Sequence, residues 1–172
     1  MKFSSALVGT ASIVIAALAW ADLPRTPLPP GVHADRIVID KSTRHMSVYS
    51  HGALLRSYRV ALGRGDPGAK LWQGDRRTPE GRYTVDGHNP SSAFHRALHV
   101  SYPSAVDVAR ATAAGHAPGG DIMIHGLPNG FGWIGRVQRL SDWTAGCIAL
   151  TNPEMDELYR IVPDGTPIEI RS

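Results

Sequence analysis

HGLPNGFGWIGRVQRLSDWTAGCIALT, running from His125 to Thr151, is the stretch on which the reading of this chain turns. It contains the only cysteine, Cys147, inside the run Thr144-Ala145-Gly146-Cys147-Ile148. A His-Gly pair opens it, directly after the apolar run Ile122-Met123-Ile124. A thiolate nucleophile needs a base to take its proton and backbone N–H groups to hold the oxyanion that forms. His125 suits the first task, and the N–H groups of Gly146 and Cys147 suit the second. Gly146 lets the backbone turn sharply there. The separation of the two residues suits a strand, a loop and a second strand returning beside the first. A lone cysteine also serves elsewhere as a small buried hydrophobe, and it is the small-residue turn before it that favours chemical use.

The same residues carry a resemblance. His125-Gly126, a spacer, and then Thr144-Ala145-Gly146-Cys147 resemble the His-Gly and Ser/Thr-x-Gly-Cys motif of the L,D-transpeptidase (YkuD-type) catalytic domain of bacterial cell-wall enzymes. The likeness spreads over most of the chain. Arg36 to Gly63 looks like the family's opening hairpin, Gly74 to Val85 like its Thr-Pro-Glu-Gly segment, and Pro118 to Gly126 like its approach to the base. Phe94 to Ala111 resembles a subgroup related to murein transpeptidase-like proteins with amidase activity. Ala145 stands where many members carry His, and Ala149 where many carry Arg or Asn.

The resemblance implies acyl transfer on peptidoglycan stem peptides through a Cys147 thioester, with His125 as base and no cofactor. It implies oxyanion donors at Gly146 and Cys147, and substrate or orienting roles for Thr144 and Gly126. Hydrolysis of the same bond class, as a carboxypeptidase or amidase, or release of a wall-linked lipoprotein, is the alternative within that chemistry. A non-catalytic cell-wall binding module with an inert cysteine is the alternative of another class.

Residues 1–21 read as a signal peptide. Lys2 begins them, Ala6 to Leu18 form a short apolar run, and Ala19-Trp20-Ala21 is an A-x-A cleavage site. The run is short for a bilayer span of about 20 residues. No stable membrane insertion is expected after cleavage, and no cysteine at the cleavage point suggests a lipid anchor. The chain is therefore expected to be exported to the periplasm or cell envelope. With a single cysteine it forms no internal disulfide, although that compartment favours them. A thiol kept in an oxidising place is a hint of use.

Residues 22–33 (DLPRTPLPPGVH) read as a Pro-rich tether, extended or lying along the domain as an arm. Residues 34–172 are long enough for one domain with one core. The formal charge of +3 and the scattered arginines give no basic patch with interleaved aromatics, so nucleic acid is not an expected partner.

Short β-branched and aromatic runs punctuated by turns dominate these residues. Arg36–Asp40, Met46–Tyr49, Leu54–Leu62, Arg82–Val85, Ala97–Tyr102, Asp121–His125 and Ile168–Ile170 are the expected strands. Gly63–Gly74 and Asp86–Ser92 read as loops or turns, with Lys70, Asp75 and Arg76 as solvated loop charges. Ser104 caps a helix through Ala114 that turns Val106, Ala109 and Ala113 to one face. Asn152 caps a second, with Pro153 at its first position and Met155, Leu158 and Tyr159 on one face. The fold class is mainly β, a sandwich or barrel-like pair of sheets with two or three short helices, as the resemblance also implies. Phe131 and Trp133, in the loop between base and thiol, read equally as a substrate wall or as a cover for the core.

His95 and His99, at i and i+4, raise a metal site, but no Glu follows His95 as H-E-x-x-H requires, and the stretch alternates like a strand. No metal is expected. A metallopeptidase built on that pair stays as a reading that chelation tests.

Overall fold

Eight strands form one sheet in the order β3-β2-β1-β8-β4-β5-β6-β7. The computed structural model describes residues 26–172, so the signal-peptide expectation for residues 1–21 lies outside the described residues. The strands are β1 (Arg36–Asp40), β2 (His45–Ser50), β3 (Ala53–Arg59), β4 (Gly81–Ser92), β5 (His95–Val100), β6 (Met123–His125), β7 (Ile148–Ala149) and β8 (Pro167–Arg171). Two α-helices, α1 (Ala105–Ala113) and α2 (Asn152–Ile161), and a 3-10 segment, Gly132–Leu140, complete the fold. The fold is mainly β with three short helices, as expected.

β1 carries Ile37, Val38 and Ile39, all buried; β2 and β8 pair with its two edges, and Ile37 and Ile39 enter the core. The long strand β4 makes the sheet curl. Its first part, from Gly81 to Thr84, pairs with β8, and its second part, from Val85 onward, pairs with β5 through two register shifts. The curled sheet is a half-barrel around a core that includes Ile37, Tyr58, Leu98, Ile124, Ile148 and Ile168. Helix α2 packs against β5 and adds Met155, Leu158 and Ile161, each fully buried. Truncating one such side chain to Ala typically costs about 2–5 kcal/mol.

The two ends of the strand order meet. Just beyond β3, Ala61 exchanges both backbone hydrogen bonds with Ala149 of β7, at 2.8 and 3.1 Å. Thr144 N–H donates to Leu62 O at 3.1 Å, and Arg64 N–H to Thr144 O at 3.0 Å. The strand that follows Cys147 is thereby held on both sides.

Several local expectations change. Asp86–Ser92 is strand rather than turn, continuing β4. Its second half has a strand partner on the β5 side, and its bulges accommodate Gly87 and Pro90. In α1 the buried residues are Asp107 and Ala111, whereas Val106 is exposed. The reason is polar: Tyr83 Oη donates to Asp107 Oδ2 at 3.0 Å, and the same carboxylate closes the capping box with Ser104. Helix α2 is capped by Thr151, not Asn152, in a capping box with Glu154. Asn152 Oδ1 instead accepts the Leu127 N–H at 2.8 Å. The described part of the Pro-rich segment is docked on the domain: Leu28 packs on the core and its carbonyl accepts from Arg160 at 3.4 Å.

Candidate active site

β6 and β7 lie side by side and deliver His125 and Cys147 to one face. They are parallel, with Ile124 opposite Ile148 and His125 opposite Ala149. The expectation of a second strand returning beside the first is thus corrected in direction. A parallel neighbour needs a crossover of a dozen or more residues, and the segment through the 3-10 turn, Gly132–Leu140, supplies it. Side chains alternate along a strand, so Ile124 and Ile148 enter the core while Met123, His125 and Cys147 share the opposite face. At ordinary strand spacing, diagonal positions of this kind are about 8 Å apart at Cα, within reach of an imidazole and a thiol turned toward each other.

These side chains line a cavity of about 430 Å³, together with Phe94, Trp143, Arg64 and Asp121. His125 is buried, and Nδ1 lies 2.7 Å from the carbonyl oxygen of Gly126. A carbonyl only accepts, so Nδ1 carries the proton and Nε2 of the neutral ring keeps its lone pair. Phe94 lies 4.6 Å from the imidazole, centroid to centroid, and Trp143 meets it edge-on at 5.8 Å. Burial in this aromatic setting pushes the His125 pKa below its ordinary value, against the pull of the Gly126 carbonyl. Gly126 is required beside it, since a methyl there would sit 2.8 Å from Asn152 Oδ1 and 2.9 Å from His95 Cβ.

Cys147 Sγ is 3.6 Å from the carbonyl of Asp121, to which its thiol donates. Burial pushes the Cys147 pKa up. The Met123 N–H and the Lys70 charge oppose that shift, and the Asp121 carboxylate adds to it. A base pushed down and a thiol pushed up rest together as neutral imidazole and neutral thiol.

The turn before the thiol is tied by Thr144. Its buried hydroxyl donates to the Cys147 carbonyl at 2.8 Å and accepts the Gly146 N–H at 3.1 Å. Thr144 therefore holds the turn that carries the thiol, at the wall of the same cavity. The expected pair of oxyanion donors is divided: the Gly146 N–H is engaged inside the turn, and among the described residues no acceptor holds that of Cys147. Gly146 adopts a φ of 131°, and a methyl on it would lie 2.8 Å from the Arg77 carbonyl oxygen. Only glycine takes that conformation and that approach at low cost.

Phe131 and Trp133 do not line the cavity; they are 51% and 82% exposed. The aromatic walls are Phe94, just before β5, and Trp143, just before the Cys turn. The sequence signal for Trp143 was its place one residue before Thr144. Lys70 and Asp75 are not solvated either: they form an ion pair at 2.7 Å, each 5% exposed. His95 and His99 lie on β5, not on a helix, and face separate carboxylates, Asp156 at 2.8 Å and Asp86 at 2.5 Å.

The sequence pattern of the YkuD family, the L,D-transpeptidase catalytic domain, matches residues 34–170. The chain belongs to the L,D-transpeptidase catalytic-domain family. As such a domain it is 30% identical over 132 residues to YafK of Escherichia coli (strain K12), covering 73% of this chain and 46% of YafK. It spans about half the length of the curated relatives it matches. The crystal structure of Pgp2, the helical cell shape determining protein of Campylobacter jejuni, superposes with a TM-score of 0.62 at 24% identity. That match covers 83% of this chain and 49% of Pgp2. An L,D-transpeptidase from Mycobacterium smegmatis gives 0.54 at 19% identity, over 81% and 59% of the two chains. These two structures establish the likeness of fold for this L,D-transpeptidase domain. Among its described residues no helix is long and apolar enough to cross a membrane.

Proposed function

We propose that this protein transfers acyl groups on peptidoglycan stem peptides, with Cys147 as nucleophile and His125 as base. One observation carries the reading: His125 and Cys147 share a cavity wall, and the ring's Nδ1 is committed to the Gly126 carbonyl, which leaves Nε2 basic. Nε2 takes the thiol proton as Sγ attacks the amide carbonyl that follows an L-centre of the stem peptide. Because both groups rest neutral, proton transfer accompanies attack rather than preceding it. The Cys147 N–H faces the developing oxyanion, and that of Gly146 joins it on release of the Thr144 hydroxyl. The C–N bond then breaks, and His125 returns the proton to the departing amine of the D-residue.

The resulting Cys147 thioester has two fates. An amine acceptor, deprotonated by His125, forms a new amide and completes transpeptidation. Water forms a carboxylate and completes hydrolysis, whether as a carboxypeptidase or as an amidase acting on a wall-linked lipoprotein. On this reading the enzyme works outside the cytoplasm, and the signal-like sequence of residues 1–21 supports that location.

The test is digestion of purified muropeptides by the wild type and Cys147→Ser, with products read by mass spectrometry. Loss of a terminal D-residue, or a cross-linked product, is expected from the wild type alone. Equal processing by Cys147→Ser overturns the cysteine mechanism.

A further inference from the structure

The loop between β3 and β4 hides an ion pair that the chemistry above does not use. Lys70 and Asp75 meet at 2.7 Å with each side chain 5% exposed. Asp75 is saturated: it also accepts N–H bonds from Leu71 at 2.6 Å, Trp72 at 3.3 Å and Arg77 at 3.0 Å. Burial would push its pKa up, but Lys70 and these backbone donors hold the carboxyl below its ordinary value. Lys70 gives a second bond to the Trp72 carbonyl at 3.0 Å, and its own carbonyl accepts from Arg110 of α1 at 3.4 Å. Two buried charges are costly unless fully compensated, and here the partners of the pair lie within the loop or on α1.

The loop so fixed touches both segments between which the thiol sits. On one side, Arg77, whose N–H is held by Asp75, turns its carbonyl against Gly146. Gly63 approaches the same residue, so that a methyl on Gly63 would lie 2.9 Å from Gly146 Cα. On the other side, Gln73 N–H donates to Ala117 O at 2.8 Å, and its side chain packs where a methyl on Gly119 would stand, 3.2 Å away. Trp72 meets His116 ring to ring at 4.9 Å. Gly119 lies two residues before Asp121, whose carbonyl accepts the Cys147 thiol.

We infer that the buried Lys70–Asp75 pair is a positioning device for Cys147, bracing the Gly146 turn through Arg77 and the Asp121 carbonyl through Gln73. The inference rests on the cysteine reading above and adds two residues to it that never touch substrate. The charged and titratable groups facing the thiol are His125 on β6, Asp121 before it, Arg64 beyond β3, and Lys70 within the loop. Of the two cations, Lys70 is the buried one, and its charge favours the thiolate.

The experiment compares full-length wild type, Lys70→Met and Asp75→Asn. For each, a thermal melt checks folding, iodoacetamide alkylation of Cys147 is followed against pH by intact-protein mass spectrometry, and kcat and KM are measured on a muropeptide. Lys70→Met should fold, shift the alkylation midpoint to higher pH, and lower kcat with KM unchanged. Misplacing a catalytic group by about 1 Å costs on the order of 100-fold in rate, which sets the scale for kcat. Asp75→Asn should lower kcat likewise, and Lys70→Arg should restore the alkylation midpoint. If Asp75→Asn does not fold, the Lys70 series decides. A folded Lys70→Met with the wild-type midpoint and wild-type kcat overturns the inference. Alkylation requires no substrate, so a wild type that processes no muropeptide yet shows the midpoint shift counts against the proposed reaction and for the brace.

Discussion

Thr144 Oγ1 bonds both ends of the turn that carries Cys147: it donates to the Cys147 carbonyl and accepts the Gly146 N–H two residues away. A single hydroxyl therefore fixes the backbone on either side of the thiol.

Thr144→Val keeps the shape and removes the hydroxyl. It leaves one buried acceptor and one buried donor unpaired, each worth about 1–3 kcal/mol. Lower stability in urea melts and slower turnover are expected together, with Thr144→Ser recovering most of both. A Val variant as active and as stable as wild type would remove Thr144 from the site.

Gly146→Ala is expected to be worse than an ordinary surface substitution. The backbone sits at a φ of 131° and the added carbon meets the Arg77 carbonyl at 2.8 Å, a backbone atom that cannot swing away. Strain of about 1–3 kcal/mol is the expected scale. Denaturant melts measure the loss, and Cys147 alkylation reports whether the turn has moved.

The pH dependence follows from His125. Burial lowers its pKa from the ordinary 6.5, so the ring stays neutral and basic at pH 6.5. The acid limb of kcat/KM is therefore expected below pH 6.5. Stability has the same sign: the unfolded chain takes up this proton first as pH falls below 6.5, so His125 weakens the fold progressively on acidification. His125→Gln should flatten the activity limb and soften that part of the stability profile. An activity limb centred above pH 6.5 would contradict the buried neutral base.

A carbapenem tests the pair without a muropeptide. Its strained amide should be opened by Cys147, leaving one adduct on the Cys147 peptide and none on Cys147→Ser. Base catalysis is commonly worth about 10²–10⁴-fold, so His125→Ala should slow adduct formation by that order. Equal rates with and without His125 would mean an accessible thiol with no base.

Chelation separates the metallopeptidase reading. Turnover should survive EDTA, and His95→Ala should cost only the bond to Asp156, which is half-exposed and worth little in water. Loss of activity on chelation, restored by zinc, would move the chemistry to β5.

Much of this architecture is legible in the residues, and the parts that are not share a cause. β1 runs over Arg36–Asp40 as read, because a buried apolar run between charged ends has few other uses. Ser104 announces α1, because a side-chain acceptor ahead of free N–H groups is a local matter. What escapes is whatever depends on a distant partner. Asp86–Ser92 carries turn residues, yet β5 pairs with it across two bulges. Lys70 and Asp75 look like loop charges until the folded loop pairs them with each other and Arg110 of α1 reaches the Lys70 carbonyl. Phe131 and Trp133 lie nearer in sequence to His125 than Trp143 does, yet it is Trp143 that flanks it. Parallel pairing of β6 and β7 has no signature in either strand, since each is only two or three residues long.

The exchange of hydrogen bonds between Ala61 and Ala149 bears on how the Cys147 thiol moves in time. β7 is two residues long and would fray readily as a free edge, but it has β6 on one side and the Ala61 segment on the other. Local opening there must part contacts from opposite ends of the sheet order at once. The amide hydrogens of Ala61 and Ala149 should therefore exchange with deuterium about as slowly as those of β1, near the rate set by global unfolding. Breathing around Cys147 is then expected in the turn ahead of it rather than in β7.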